Sequence, residues 1–268
     1  MNNPVLRFIL LSLFLCLSPS IYSITLKEVR SLGLGEITAP VTSYLNPAAL
    51  SMNPASLASV SCQNNFLIHE LSTLTACYQQ PTRWIDFSLL LNRFGYENFN
   101  ETECGINVSK LLTAQFSLGI RLYYNHLNFI DNQNSYGLFS GDIGLQYTPV
   151  DNFRIGMLLR NPFRVKKEVD NYCYELPVAL FLGVEMQLTT LCKALLEVEK
   201  ENRSPLCFKT AVEYAVHEKL DLRAGVLTAP LMPTFGLGST LGKLAFDVSA
   251  SYHTVLGFSP AIALHYLF

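Results

Sequence analysis

The stretch "PAIALHYLF", residues 260–268, alternates apolar residues with others up to the last position of the chain. Reading back every second residue from the end gives Phe268, Tyr266, Leu264 and Ile262. A period of two is typical of a β-strand with one apolar face. The ends of soluble domains are usually frayed and polar unless something ties them down. The pattern therefore predicts a terminal strand that the rest of the fold holds in place.

The same alternation recurs along the chain from about Val60 onward. In "KLAFDVSASY", residues 243–252, the apolar side chains share one face, while Asp247 and two serines lie on the other. Placing boundaries at turn-forming residues gives about fourteen strands. They cover 60–69, 72–79, 83–93, 102–111, 115–128, 136–148, 152–161, 177–188, 190–199, 206–216, 219–228, 232–240, 243–253 and 258–268. The sequence therefore predicts an all-β protein.

The connections between these strands differ in length in a regular way. Every second one is tight, such as "PVDN" at 149–152 and "HEK" at 217–219. Several of the others are longer and polar, above all "NPFRVKKEVDNYCYE" at 161–175. This difference is typical of an up-and-down transmembrane barrel with short periplasmic turns and longer outer loops. A secreted β-sandwich would also alternate, but it explains neither the loop lengths nor the near absence of charge on one face.

A strand protein can cross lipid only as a closed barrel, because lipid offers no partner for free backbone groups. The apolar face of each strand then points outward and the charged residues point into the lumen. The predicted lumen-facing charges are Arg121, Asp142, Arg154, Glu185, Glu197, Lys209, Glu213, Asp221, Arg223 and Asp247. Positive and negative residues are interleaved, which favours mutual neutralisation over a charge-selective solute path.

The first 23 residues have the layout of a secretory signal peptide. Arg7 precedes an apolar run at 8–17, and small and polar residues follow. Cleavage after Ser23 or Ser20 fits the small residues at these positions. The sequence thus divides into a signal peptide at 1–23, an N-terminal segment at 24–59 and a barrel at 60–268.

Composition argues against several other classes of function. The net charge is −2 and charged residues make up 15% of the chain, so no electrostatic surface for nucleic acid is expected. Six of the seven cysteines follow the leader, and their spacing matches no metal-binding motif. None of the five histidines forms a recognisable catalytic arrangement with a nucleophile and an acid. The sequence predicts no catalytic residue, no metal and no cofactor.

The N-terminal segment contains a short duplication, "YLNPAAL" and "SMNPASL", at 44–50 and 51–57. In each copy an asparagine precedes a proline, which suits a helix N-cap followed by the first helical position. Two short helical turns are therefore predicted, although an Asn-Pro pair is also common in ordinary turns. The two motifs are Asn46, Pro47, Ala48 and Asn53, Pro54, Ala55.

An Asn-Pro-Ala motif in an N-terminal segment, followed by about fourteen strands, resembles the FadL-like outer-membrane fatty-acid transporters and their PorV/PorQ-type relatives. The resemblance implies that residues 24–59 fold inside the barrel as a plug. It also implies passive passage or binding of a small, hydrophobic substrate. The alternative is a non-channel, partner-binding component of a PorV/PorQ-type (type IX) secretion apparatus.

Location and partners follow from the same resemblance. The protein is expected in the bacterial outer membrane, in contact with lipid and lipopolysaccharide. The barrel-assembly machinery is expected to recognise the aromatic end of the chain, formed by Ile262, Leu264, Tyr266 and Phe268. Further expected partners are a hydrophobic small molecule or, in the alternative function, secretion-system proteins.

Overall fold

The computed structural model describes residues 26–52, 54–129, 134–169, 172–202 and 204–268; the predicted signal peptide lies outside these ranges. Two short helices precede the strands, α1 at Val29–Gly33 and α2 at Ala49–Met52. The strands are β1 Leu57–Asn64, β2 Ser72–Gln80, β3 Asp86–Gly95, β4 Phe99–Thr113, β5 Phe116–Phe129, β6 Asn134–Val150, β7 Phe153–Arg160, β8 Lys166–Val169, β9 Tyr172–Glu175, β10 Ala179–Gln187, β11 Cys192–Glu201, β12 Cys207–His217, β13 Leu220–Thr228, β14 Leu231–Leu241, β15 Leu244–His253 and β16 Gly257–Leu267.

Fourteen of these strands form one closed antiparallel barrel, in which each strand pairs with its neighbours along the chain. The last strand closes the ring by pairing with the first, from Leu57 opposite Leu267 to Gln63 opposite Ala261. Closure leaves no sheet edge with free backbone groups. The predicted fourteen-strand all-β barrel is confirmed, and the terminal strand lies at its closing seam.

The period of two in the sequence becomes an inner and an outer face. In β12, Lys209 and Glu213 point inward and are buried, while Phe208, Val212 and Tyr214 are exposed on the outside. Large apolar side chains such as these cover the outer face of most strands. No helix in the described ranges is long and apolar enough to cross a membrane.

The two ends of the barrel differ in their connections. At one end, called the turn end here, residues 114–115, 151–152, 218–219 and 242–243 form tight turns. The opposite end, called the loop end, carries the connection at 161–178. This connection contains the hairpin β8–β9, which was predicted as loop. The polar connection predicted after β3 is also shorter than expected, because β4 begins at Phe99.

The first strand starts and stops earlier than predicted. It begins at Leu57 rather than Val60, and it ends at Asn64 rather than at residue 69. Two 3-10 turns follow, and Phe66 and Leu67 there have φ angles of 58° and 57°. A left-handed backbone cannot continue a strand ladder, so the chain turns toward β2 at this point.

Candidate functional site

The N-terminal residues 26–52, called the inner segment here, lie against the inward faces of the barrel strands. Val29 of α1 packs with Ala263 of β16. Ile37 packs with Leu195 of β11, and Ser51 Oγ donates a hydrogen bond of 2.5 Å to Asp86 at the start of β3. The segment therefore follows the inside of the wall from the last strands of the barrel back toward the first. Whether it acts as the predicted plug stays a prediction.

Inward-facing glycines let the backbone of the inner segment approach the wall. Gly119 of β5 and Gly144 of β6 are cross-strand partners. A Cβ atom added to Gly144 would lie 2.0 Å from Asn46 Oδ1, and one added to Gly119 would lie 2.3 Å from the Ala48 nitrogen. Real side chains do not tolerate such distances. Glycine is therefore required at these two wall positions for the segment to lie where it does.

The first Asn-Pro-Ala motif is located at this glycine pair. Asn46 is fully buried, and its amide nitrogen donates to the Ala39 carbonyl at 2.7 Å and to the Met157 carbonyl at 3.3 Å. Its side-chain oxygen accepts from the Ala48 N–H at 3.1 Å. One asparagine thus joins two parts of the inner segment to β7. The predicted helical turn follows it as α2.

The second motif differs from the first. Asn53 lies outside the described residues, Pro54 is exposed and Ala55 is half-buried. Residues 54–56 form no helix, and β1 begins at Leu57, so the predicted second helical turn is wrong for these residues. The Ser56 carbonyl already accepts from the Phe268 N–H at 3.1 Å at the seam, and from Leu57 onward the chain is held extended by pairing with both β2 and β16. Two similar sequence motifs can therefore adopt different backbone structures when one of them adjoins a paired strand.

A buried carboxylate anchors the middle of the inner segment. Glu197 Oε2 accepts from the Thr38 N–H at 2.8 Å and from the Ala39 N–H at 2.6 Å. Its other oxygen pairs with Lys209 Nζ at 2.9 Å, and Lys209 also donates to the Glu36 carbonyl at 2.7 Å. Charge-assisted hydrogen bonds of this kind are stronger than neutral ones. The pair is therefore bonded to the inner segment at three backbone groups.

A second charged cluster lies toward the turn end. Arg30 of α1 donates to Glu213 at 2.9 Å, and Arg223 donates to the same carboxylate at 2.8 Å. Arg223 also pairs with Asp247, whose other oxygen lies 3.0 Å from His265 Nε2. A cavity of about 460 Å³ borders this cluster. Its charged lining is Arg30, Lys193, Glu213, Asp221, Arg223 and Asp247.

A third cluster lies toward the loop end, below an apolar layer. Arg121 pairs with Glu103 and, at 3.5 Å, with Asp142. Above it, Tyr123 packs with Leu127, Leu138 and Leu176, and the last of these comes from the connection that carries the hairpin. Asn161 holds this connection in place by donating from its side chain to the Leu176 carbonyl at 2.7 Å. The loop end of the lumen is thus lined by apolar side chains over buried charge.

All ten predicted lumen charges take part in ion pairs. Arg154 pairs with Glu185 at 3.2 Å, and Asp221 lies 3.8 Å from Arg223. The remaining seven belong to the three clusters described above. This arrangement fits mutual neutralisation of the predicted charges. Arg30 was not predicted as a lumen charge because its segment has no strand period. Glu103, the second residue of the strand predicted at 102–111, was also left out of the predicted lumen charges.

Two carboxylates of the inner segment have shifted pKa values. Burial raises the pKa of Glu28, and the weaker opposing effects of Ser43, His265 and Arg30 do not cancel it. Burial also acts to raise the pKa of Glu36, but the positive charges of Lys27 and Lys209 outweigh it and lower that pKa. Lys27 Nζ lies 2.6 Å from Glu36 Oε1. The surroundings therefore disfavour the ionised form of Glu28 and favour the ionised form of Glu36.

The predicted terminal signal lies on the outer face of β16. Ile262 is 55% exposed, Leu264 38%, Tyr266 41% and Phe268 64%. The ring of Phe268 contacts Tyr266 with centroids 5.0 Å apart and Tyr78 with centroids 6.2 Å apart. These side chains therefore form one apolar and aromatic strip across the seam, accessible from outside the barrel.

No family profile matches the sequence, and no curated protein sequence does either. Solved structures share the fold. The Pseudomonas putida toluene transporter TodX matches with a TM-score of 0.67 and 12% identity, over 92% of this chain and 98% of that one. The monoaromatic hydrocarbon channel CymD matches with a TM-score of 0.69 and 11% identity, over 89% and 96%. A Pseudomonas aeruginosa FadL homologue matches with a TM-score of 0.62 and 11% identity, over 92% and 99%. The chain has the FadL-like barrel fold expected from its sequence.

Proposed function

We propose that this protein is an outer-membrane barrel that binds or passes a small hydrophobic molecule. The observation that carries the proposal is a fold shared over about nine-tenths of the chain with a toluene transporter and a monoaromatic hydrocarbon channel. The outer face supports the location, because large apolar side chains cover it and a soluble protein rarely exposes so wide an apolar surface. The inner segment would then act as the plug.

Apolar surfaces inside the barrel and in its wall support a hydrophobic substrate. The apolar layer at the loop end contains Tyr123, Leu127, Leu138 and Leu176. Deeper in the lumen, Leu90 and Cys77 of the wall pack with Leu26, Tyr44 and Leu45 of the inner segment in a second apolar cluster. The partner-binding role in a secretion apparatus has no support from these observations.

Uptake of a hydrocarbon by whole cells tests this function. The protein is expressed in a Gram-negative host, and the entry rates of labelled toluene and of a labelled sugar are compared with those of cells without it. Faster toluene entry with unchanged sugar entry is expected, because the lumen is obstructed for polar solutes. Equal toluene entry in both strains, with the protein present in the outer membrane, would contradict the proposal. Co-purification with secretion components would then favour the alternative function.

A further inference from the structure

A groove lies on the outer face of the barrel, across the closing seam and the first strands. Its volume is about 530 Å³, and it is lined by residues of β16, β1, β2, β3 and β4. The outward side chains of Val60, Leu89, Leu91 and Leu264 line it, and all four are exposed. Ligand sites are typically concave and mostly apolar. The groove is therefore a candidate binding site that is reached from outside the barrel and is separate from the lumen.

Two small residues create the groove. Ala58 of β1 lies between Tyr78 and Tyr266, which are its partners on the two neighbouring strands. In the next outward row, Ala76 of β2 lies opposite Leu91 of β3. An alanine beside large side chains leaves a depression in the surface of a sheet. The depression therefore continues from the two tyrosines along the strands into the wall.

The tyrosines mark the turn end of the barrel. Tyr266 lies opposite Leu244, the first residue of β15 after the turn at 242–243. The Tyr78 hydroxyl donates to Gln80 Oε1 at 2.9 Å, so its polar tip points toward the same end. Aromatic side chains with polar tips are typical of the boundary between membrane and water. One end of the groove thus lies at this boundary, and the rest lies at the depth of the acyl chains.

Two exposed cations lie at the same end of the barrel. Arg83 lies in the connection from β2 to β3, and its guanidinium carbon is 5.6 Å from the centroid of the Trp84 ring. Lys110 is exposed on β4, directly after Ser109, which pairs with Asp86 at the start of β3. The carboxylate of Asp86 already accepts two hydrogen bonds within the protein. Cations at a membrane surface attract anionic headgroups.

We propose that the groove binds an acyl chain of an anionic phospholipid, whose phosphate contacts Arg83 and Lys110. The apolar groove and the cations at its end match the two parts of such a lipid, whereas a hydrocarbon has no group for the cations. The bound lipid covers the seam between β16 and β1 from outside. The inference rests on the membrane location in the proposed function, but not on its substrate.

The fluorescence of Trp84 tests this proposal, because Trp84 is the only tryptophan in the sequence. The protein is inserted into vesicles that contain increasing fractions of brominated phosphatidylglycerol, and separately of brominated phosphatidylcholine. Bromine atoms quench tryptophan on contact. Half-maximal quenching is expected at an about fivefold lower mole fraction of the anionic lipid, since each nearby cation favours an anionic headgroup. Equal mole fractions would overturn the proposal.

Two alanine substitutions separate binding in the groove from attraction of the headgroup alone. Ala58→Phe fills the groove and leaves both cations in place, so most of the fivefold preference should be lost. Ala224→Phe is the matched control, because Ala224 is exposed on the outer face of β13, outside the groove, and this variant should keep the preference. An unchanged preference in Ala58→Phe would show that the lipid does not enter the groove, which overturns the proposal.

Other occupants of the groove give different results. Loss of the lipid preference on addition of toluene would assign the groove to a hydrocarbon, and a cross-linked dimer that Ala58→Phe abolishes would assign it to a second copy of the chain; either result overturns the proposal.

If Ala58→Phe does not fold, native mass spectrometry of the wild type decides. Retention of one phosphatidylglycerol in preference to phosphatidylcholine, added at equal concentration, is expected, and equal retention overturns the proposal. A folded barrel that does not insert into vesicles would contradict the proposed membrane location as well, which toluene uptake by cells reports independently.

Discussion

At the scale of single residues, Glu197 joins the barrel wall to the inner segment, because it binds the Thr38 and Ala39 N–H groups and pairs with Lys209. Glu197→Gln removes the charge that pairs with Lys209 and leaves a buried ammonium without its main partner. Breaking a buried pair in this way costs about 3 kcal/mol, so a lower free energy of unfolding is expected in urea titrations of the protein in lipid vesicles. Glu199 offers a matched control, because it pairs with the same lysine at 2.8 Å but is 23% exposed. Glu199→Gln should cost less than about 1 kcal/mol, and equal losses would argue against the anchor.

Gly144 tests the contact between the wall and the Asn-Pro-Ala motif. Gly144→Ala places a methyl group 2.0 Å from the Asn46 side chain, while the strand backbone itself accepts alanine. The barrel should therefore still form, but the inner segment should leave its site. Faster hydrogen exchange at residues 40–52 is the expected readout.

Gly105→Ala is the control for that substitution, because its new methyl group meets nothing nearer than the Tyr123 Cβ at 3.3 Å. Hydrogen exchange in this variant should stay close to that of the wild type. If Gly144→Ala also leaves the exchange of the inner segment unchanged, the close approach described here is wrong.

Glu28 and Glu36 should give opposite pH dependences. The pKa of Glu28 is raised in the folded state, so its cost to stability grows as the pH rises from the unfolded value near 4.3 through the folded pKa. Glu28→Gln should therefore be more stable than the wild type at pH 7 and similar to it near pH 3.5. The pKa of Glu36 is lowered, so its contribution is present above about pH 4.3 and is lost on acidification through the folded pKa. Glu36→Gln should be the less stable variant at pH 7, and unfolding in urea at both pH values checks both signs.

At the scale of elements, β16 closes the barrel by pairing with β1, and it leads into the aromatic end that is predicted to be the assembly signal. Phe268 is exposed at the seam, and its backbone N–H donates to the Ser56 carbonyl at 3.1 Å. Deleting Phe268 should reduce the amount of protein in the outer membrane, measured by heat-modifiable migration on gels. Phe258→Ala, at the other end of the same strand and equally apolar, should leave the amount unchanged. Unchanged yield after the deletion would show that the aromatic end is incidental.

The strands could be predicted from the sequence because each has one apolar and one polar face. In β12 the alternation from Phe208 to Tyr214 is enough to show which side chains face outward and which face the lumen. The start of β1 could not be placed, because pairing with β2 and β16 decides it and neither ladder is visible locally. The same holds for the inner segment, whose α1 has five residues and whose position depends on glycines far along the chain. Arg30 could not be recognised as a lumen charge for this reason.

At the scale of the whole molecule, the barrel and the inner segment depend on each other. A barrel of eight strands fills its interior with side chains, and one of sixteen or more leaves an aqueous channel. Fourteen strands leave a lumen between these limits, which the inner segment crosses along the wall. Two buried carboxylates of the wall have partners on that segment, Glu213 on Arg30 and Glu197 on the Thr38 and Ala39 N–H groups. Without the segment, the same lumen would be lined by charged groups and accessible to water.

Conductance across a planar lipid bilayer therefore tests the central claim most directly. The wild-type protein and a variant lacking residues 26–52 are inserted under the same conditions, after heat-modifiable migration has shown that both fold. The inner segment is expected to keep the wild type closed to ions, and its removal should give stable, water-filled channels. A deletion variant that folds, inserts and conducts no more than the wild type would contradict the role of the inner segment as a plug.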